Sequence, residues 1–201
     1  MRLDNYISEN TILDSTALIK RDCQPWLKAT KNCGFFYRGL KRGGSFEKKS
    51  VRKDRIPLNM DQEESDRLDV GFQKKFGWKA RSNGVFVTGS LINASGYAGL
   101  TGGAYIFFAI GDFKYVWSPR VEDLYTDIPK LMSAVRGLKP KKMGDPLVRA
   151  VEEFFIDVHL TSAQKSGKEV VVGCKTYYAL DTQAVSRSGY RYDKDLKKLL
   201  Y

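Results

Sequence analysis

Short aromatic and β-branched runs punctuate the chain, and each is flanked by a polar residue or a glycine. Phe35-Phe36-Tyr37-Arg38, Val85-Phe86-Val87-Thr88, Glu169-Val170-Val171-Val172 and Thr176 to Leu180 have the length and composition of strands. Tyr105 to Ile110 and Phe113 to Trp117 flank Gly111-Asp112, a pairing that predicts a hairpin. Gly173-Cys174-Lys175 reads as the turn between the last two strands. Helical spacing appears elsewhere. Leu68, Phe72 and Phe76 recur every four residues between Asp61 and Phe76, with Asn59 or Asp61 as cap. Asp145-Pro146 opens another helix, with Leu147, Val151, Phe154, Phe155 and Val158 on its apolar face and His159 at its end as a packing or capping residue. Glu122 to Leu138 reads as a helix interrupted by Pro129. Residues 1–33 read as a mostly helical or irregular lead-in, where Thr16 to Ile19 and Trp26-Leu27 bury some surface.

Two segments follow neither period. Lys41 to Arg55 carries Arg42, Lys48, Lys49, Arg52, Lys53 and Arg55 and reads as a solvated basic loop able to touch phosphates. Asn93 to Gly103 is rich in Gly, Ser and Ala and reads as a flexible loop; no Gly-Lys-Ser/Thr follows its glycines, so it is no phosphate-binding P-loop. No internal repeat and no linker divides residues 1–201, which read as a single domain. The order of elements predicts an α+β fold: a twisted, mainly antiparallel β-core with helices gathered toward the N-terminal half.

Composition narrows the partners. Hydrophobic residues make up 42% of the chain, with 11 Phe, 11 Tyr and 3 Trp, enough to build a core. The net charge of +11 favours anionic partners: nucleic acid, phosphorylated cofactors or acidic proteins. Cys23, Cys33 and Cys174 make no disulfide framework or metal-spaced pair, and His159 is the sole histidine, so no metal is expected. Met1 to Asn10 lacks the apolar core of a signal peptide, and no stretch is long enough to span a membrane. A reducing cytoplasm is the expected location, with no membrane partner.

Arg38, Thr88 and Glu169 are the polar residues that stand out, because each sits at the end of an apolar strand. There a charge is either structurally satisfied or functional. Taken singly, each fits a structural role. Together, an arginine, a hydroxyl and a carboxylate suit a phosphorylated substrate in which a cation develops. The guanidinium can fork onto a phosphate, and the carboxylate can stabilise an oxocarbenium-like centre.

Three motifs, Tyr37-Arg38-Gly39, Phe86-Val87-Thr88-Gly89-Ser90 and Lys168-Glu169-Val170-Val171-Val172-Gly173-Cys174-Lys175-Thr176-Tyr177, occur in the order seen in mono-ADP-ribosyltransferases of the Arg–Ser–Glu type. Over roughly residues 35–180 the chain resembles that family, the small phage enzymes among it. The resemblance implies an ADP-ribosyltransferase-like core, NAD⁺ as substrate, transfer of ADP-ribose to an acceptor macromolecule, and the host cytoplasm as location if the protein is phage-encoded. It implies that Arg38 binds the NAD⁺ phosphates and braces the site, and that the Gly39 backbone meets the nicotinamide amide. Thr88 would orient Glu169, with Ser90 auxiliary. Glu169 would hold the ribose 2′-hydroxyl and stabilise the cation as nicotinamide leaves. Tyr97 could stack on nicotinamide, though no motif fixes it.

Two departures from the family pattern matter. Thr-Gly-Ser replaces Ser-Thr-Ser and keeps both terminal hydroxyls. Gly167 stands where the first Glu of Glu-x-Glu would be. The acceptor is therefore expected to be a nucleic acid or a non-arginine side chain, unless a carboxylate such as Glu152 or Glu153 substitutes. Three rivals compete with this reading. One is a basic nucleic-acid-binding protein without catalysis. Another is a metal-dependent nuclease using Asp112, Glu122, Asp123 or Glu169, disfavoured by the spacing of its carboxylates. The last keeps the fold and loses the activity.

Overall fold

The computed structural model describes residues 4–53, 56, 60–137 and 144–201, the first eight of these by backbone alone. Arg55, Asn59 and Leu138, named above, lie outside the described residues. The chain begins with α1 (Asp4–Asp22), α2 (Gln24–Thr30), β1 (Tyr37–Lys41), β2 (Phe46–Ser50), α3 (Gln62–Phe76) and α4 (Ala80–Asn83). There follow β3 (Val85–Thr88), α5 (Leu91–Ala98), β4 (Gly102–Ile110), β5 (Lys114–Trp117), α6 (Ile128–Arg136), α7 (Pro146–Phe154) and α8 (Leu160–Ser166). The last elements are β6 (Glu169–Gly173), β7 (Thr176–Asp181), α9 (Thr182–Arg187), a π-helical turn (Tyr192–Leu196) and α10 (Lys197–Leu200).

The strands form one sheet in the order β2-β7-β4-β1-β3-β6-β5, with antiparallel pairs throughout. The α+β class and mainly antiparallel core follow the sequence reading. The expected gathering of helices toward the N-terminal half does not: α6 to α10 all follow β5. Both faces of the central strands are apolar, and helices from the whole chain are needed to cover them.

The expected β4–β5 hairpin is also corrected. β4 lies between β7 and β1, whereas β5 pairs with β6 at the far edge. β4 is buried on both faces from Ala104 to Ala109, so it needs a strand on each side. Four strand spacings separate β4 from β5, roughly 19 Å in a flat sheet at ~4.8 Å each. The four Cα steps from Ile110 to Lys114 reach at most about 15 Å. An even number of antiparallel steps also makes the two strands parallel in the sheet, so the link must return to the opposite end. Only a coiled sheet meets both conditions. At ~20–25° of twist per step, β5 runs roughly 80–100° from β4. The chain turns this corner at Gly111 (φ 69°), whose N–H donates to Asp22 O at 3.0 Å.

Coiling places one core inside the bend and another outside it. Inside, Trp26 meets Phe36, Phe107 and Phe113 edge-on, and Val85, Val87, Val170 and Val172 join them. On the other face of β3-β6-β5, Phe86, Val116 and Val171 pack under α3, α6 and α7 through Leu68, Phe72, Leu131, Leu147 and Val151.

Local chemistry explains two further corrections. Pro129 stands at the start of α6, where its missing N–H has no intrahelical acceptor to lose, so it begins the helix instead of interrupting it. Part of the expected basic loop is strand β2, which pairs Phe46 with Leu180 and Ser50 with Thr176. Among the described strands it is an edge with one unpaired side, and lysines there discourage pairing with other chains.

Asp145 begins α7 as its composition predicts and also ties that helix to α3. Its carboxylate accepts from Leu147 N (2.7 Å) and Val148 N (3.3 Å), and from both Nε (2.5 Å) and Nη2 (3.1 Å) of Arg67. The Arg67 guanidinium and the helix N–H groups hold the Asp145 carboxyl below the usual carboxylate range. Asp145→Ala is expected to cost ~1–2 kcal/mol at neutral pH, the worth of a helix cap. Because the folded-state pKa is depressed, that contribution is present above the unfolded value, ~3.9, and is lost as pH falls through the folded value. Denaturant unfolding of both proteins should show a gap near pH 7 that closes toward strong acid. A gap unchanged with pH would separate the stabilisation from the charge of Asp145.

Candidate functional site

The strands that carry the three sequence motifs are consecutive neighbours, β1-β3-β6. Tyr37 lies opposite Thr88, and Thr88 lies opposite Glu169. Residues directly opposite in a ladder project to the same face. Thr88 and Glu169 are thus brought together as expected, at the ends of β3 and β6.

A polar network holds Glu169 in place. Its N–H donates to Glu122 O (2.9 Å), which brings the loop after β5 against the start of β6. The buried Thr88 hydroxyl donates to Gly167 O (2.5 Å) and accepts from Ser90 N–H (3.0 Å). A hydroxyl has one proton to donate. Thr88 therefore positions the chain entering β6 and does not donate to the Glu169 carboxylate, which corrects its expected role. Ser90 Oγ accepts from Asn93 N–H (3.2 Å), and Asn93 Nδ2 donates to Gly167 O (3.1 Å).

Those bonds also explain why the expected loop from Asn93 is largely the helix α5. Ser90 is its N-cap. Its small residues let it settle directly on β1. A Cβ on Gly39 would lie 2.4 Å from Ala94 O and 2.6 Å from Ala98 N. Gly39 thus serves the close approach of a helix, and its side-chain face is covered by α5, not open to a nicotinamide. Tyr97, on the same helix, is more than half exposed, and its hydroxyl faces Asp123. Partial burial, then the charges of Asp123, Glu169 and Glu122, push that hydroxyl well above its usual pKa.

Gly167 ends α8 in the left-handed region, with φ 68°. A glutamate there would carry backbone strain of about 1–2 kcal/mol, and its Cβ would sit 3.3 Å from Ser90 Cβ. Glu152 is engaged by Lys74 of α3, 2.5 Å away. The carboxylates that do accompany Glu169 and Tyr97 are Glu122 and Asp123, which the sequence marks only as metal candidates.

Arg38 does not join this group. Strand alternation sends the residue after Tyr37 to the opposite face, so Arg38 and Glu169 do not open onto one cleft. This corrects the expected convergence. β1 and β3 share a single paired position, and beyond it Arg38 Nη1 donates to Phe86 O (3.0 Å) across the gap. The guanidinium lies 5.8 Å from the Tyr177 ring centre, and its Nε is buried without a hydrogen-bond partner among the described residues. Burial lowers the Arg38 pKa, partly offset by Tyr177, and burial pushes the neighbouring Cys174 thiol up to about 12. Arg38 lines a cavity of about 740 Å³ whose walls include Lys41, Lys49, Arg52, Lys53 and Tyr177, but neither Thr88 nor Glu169. Lys49 is paired with Glu47. Arg38 ties β1 to β3 on the far side of the sheet from the carboxylate.

Among the described residues, no group of three or more His, Cys, Asp or Glu is placed to hold a metal ion, and no helix is long and apolar enough to cross a membrane. His159 is exposed, adopts a left-handed conformation (φ 63°) and caps α8 through its carbonyl, which accepts from Ser162 and Ala163. Comparison with known protein families, curated proteins and solved structures finds no match to this chain.

The seating of α5 on β1 can be tested with two glycines. Gly39→Ala should destabilise the protein by ~1–3 kcal/mol, because backbone atoms of α5 block the new methyl group. Gly96→Ala, inside α5 with nothing within 4 Å, should stabilise it by ~0.4–1 kcal/mol. Thermal unfolding of both variants checks this; equal, small effects would mean that the segment is not a helix packed on β1.

Proposed function

We propose that the protein cleaves NAD⁺ at the nicotinamide–ribose bond and transfers ADP-ribose to a nucleic acid or a non-arginine side chain. The observation that carries this reading is the order β1-β3-β6, with Thr88 opposite Glu169. It makes neighbours of three motifs that lie far apart in the chain and resemble those of Arg–Ser–Glu ADP-ribosyltransferases.

In this reaction nicotinamide departs with the electron pair of its bond to ribose C1′. Glu169 stabilises the oxocarbenium-like centre that develops and holds the ribose 2′-hydroxyl. A lone pair of the acceptor then bonds to C1′, and the acceptor proton is lost. Thr88, Ser90 and Asn93 keep β6 in position through Gly167 O. Arg38 ties β1 to β3. Tyr97 and Asp123 stand beside Glu169, where an acceptor would approach.

The cationic cavity around Arg38 favours a second reading, a nucleic-acid-binding protein that does not cleave NAD⁺. Nicotinamide release separates the two. Wild-type protein should release nicotinamide from NAD⁺, and Glu169→Gln should fold yet lose that activity by ~2–4 kcal/mol, roughly thirtyfold to a thousandfold. Turnover retained within a factor of about two would remove Glu169 from the chemistry.

Arginine should be a poor acceptor. A guanidinium is protonated at neutral pH and needs a nearby carboxylate to take its proton, and Gly167 cannot supply one. Small guanidines should therefore take up little label from NAD⁺. Efficient labelling would mean that Asp123 or Glu122 serves that purpose.

A further inference from the structure

Arg38 closes the end of a larger feature. Its cavity, about 740 Å³, adjoins a second of about 720 Å³, and Ser50, Val51, Arg52 and Lys53 form a wall common to both. The second cavity adds Lys114 and Lys175. Among the described residues no carboxylate lines the first, and Asp112 is the one that lines the second. Cations therefore run along both cavities, past the reach of a single small ligand.

The half-buried Arg38 guanidinium, with its Nε enclosed, is the informative member. Surface lysines on a chain of net charge +11 need no ligand. An enclosed charge is costly unless paired, and among the described residues no carboxylate lines the cavity around Arg38. Nη1 is committed to Phe86 O, while Nε has no partner among the described residues. A guanidinium matches phosphate oxygens in geometry and charge. Trp78 and Phe113 line the second cavity, but at Arg38 the adjoining ring, Tyr177, is buried and offers no open shelf. Recognition there would be of backbone phosphate, with little reading of the bases.

We propose that the paired cavities form a groove for a single nucleic-acid strand, held through its phosphodiester backbone with one phosphate seated on Arg38. The groove lies on the opposite side of the sheet from Glu169. Strand binding therefore does not require NAD⁺, although it rests on the reading above where the strand is also taken to be the acceptor.

The test is titration of labelled single-stranded DNA and RNA oligonucleotides of roughly a dozen nucleotides, within the reach of one strand-binding fold, into the full protein without NAD⁺. Both strands should bind, more tightly than a duplex of the same sequence, and affinity should fall steeply with added salt. Arg38→Met should weaken binding at least roughly tenfold, as the loss of a seated phosphate contact predicts. Because Arg38 also braces the sheet, a second variant leaves it in place: Arg52→Ala, Lys53→Ala and Lys175→Ala together should weaken binding and flatten the salt dependence. Polyglutamate of equal charge should compete poorly.

Absence of binding by the wild type, or unchanged binding by the triple variant, would overturn the proposal. So would equal competition by polyglutamate, or preference for the duplex. Displacement of the strand by NAD⁺ in an Arg38-dependent manner would assign the cavity to the dinucleotide instead and overturn the groove. Nicotinamide release is measured separately, so loss of that activity in Glu169→Gln and loss of strand binding in the triple variant are independent outcomes.

Discussion

A single pair of residues, Tyr37 and Thr88, joins the two halves of the sheet. On one side lie β1, β4, β7 and β2, and on the other β3, β6 and β5. Every other neighbouring pair is held by a ladder of four or more positions. The halves can therefore swing apart beyond Tyr37, and the bend of the sheet needs that freedom. The opening exposes backbone that a continuous ladder would have satisfied, and the Arg38 guanidinium fills it by donating to Phe86 O. The coiled sheet, the inner core around Trp26 and the cavity beside Arg38 all follow from this narrow join.

The same join keeps opposite charges apart. Arg38 and Glu169 are the two ionised groups nearest the junction by sequence motif, and in direct contact they would neutralise each other. Strand alternation puts them on opposite faces instead. One face gathers Glu169, Glu122, Asp123 and Tyr97; the other gathers Arg38 with Lys41, Arg52 and Lys53. A protein with a large positive net charge thus retains a local acidic surface, set apart from the Arg38 cluster by the thickness of a sheet.

How much of this could be read in the chain depended on the range of the cause. Strands β1, β3, β6 and β7 and helices α3 and α7 announce themselves, because their apolar spacing and caps such as Asp145 are local. α5 was missed because the small residues that let it touch Gly39 also remove the apolar period of a helix. β2 was missed because an edge strand on a basic segment looks like a solvated loop. The β4–β5 pair reads as a hairpin since nothing near Gly111-Asp112 says that each strand has other partners. At the site, Thr88 beside Glu169 was legible from motif order. The position of Arg38 was not, because a shift of one residue in register exchanges the faces. Glu122 and Asp123 carry no motif, and only the loop held by Glu169 N–H brings them close.

Strand order also dictates when the fold can close. β7 lies between β2 and β4, two strands that precede it in the chain by long stretches. Until β7 is in place, β4 has an open edge along Tyr105 to Ile110, the stretch it later pairs with β7. Such distant pairing is slow to form, because the intervening chain must be gathered before any contact rewards it. During synthesis the apolar edge of β4 emerges well before the strand that covers it, and an uncovered apolar edge invites pairing with other chains. The short charged strand β2 cannot shield it alone, since its own place in the sheet exists only through β7. Production of this protein is thus a race between completing β7 and encounters among unfinished chains, and a polysome crowded with copies is where that race is tightest.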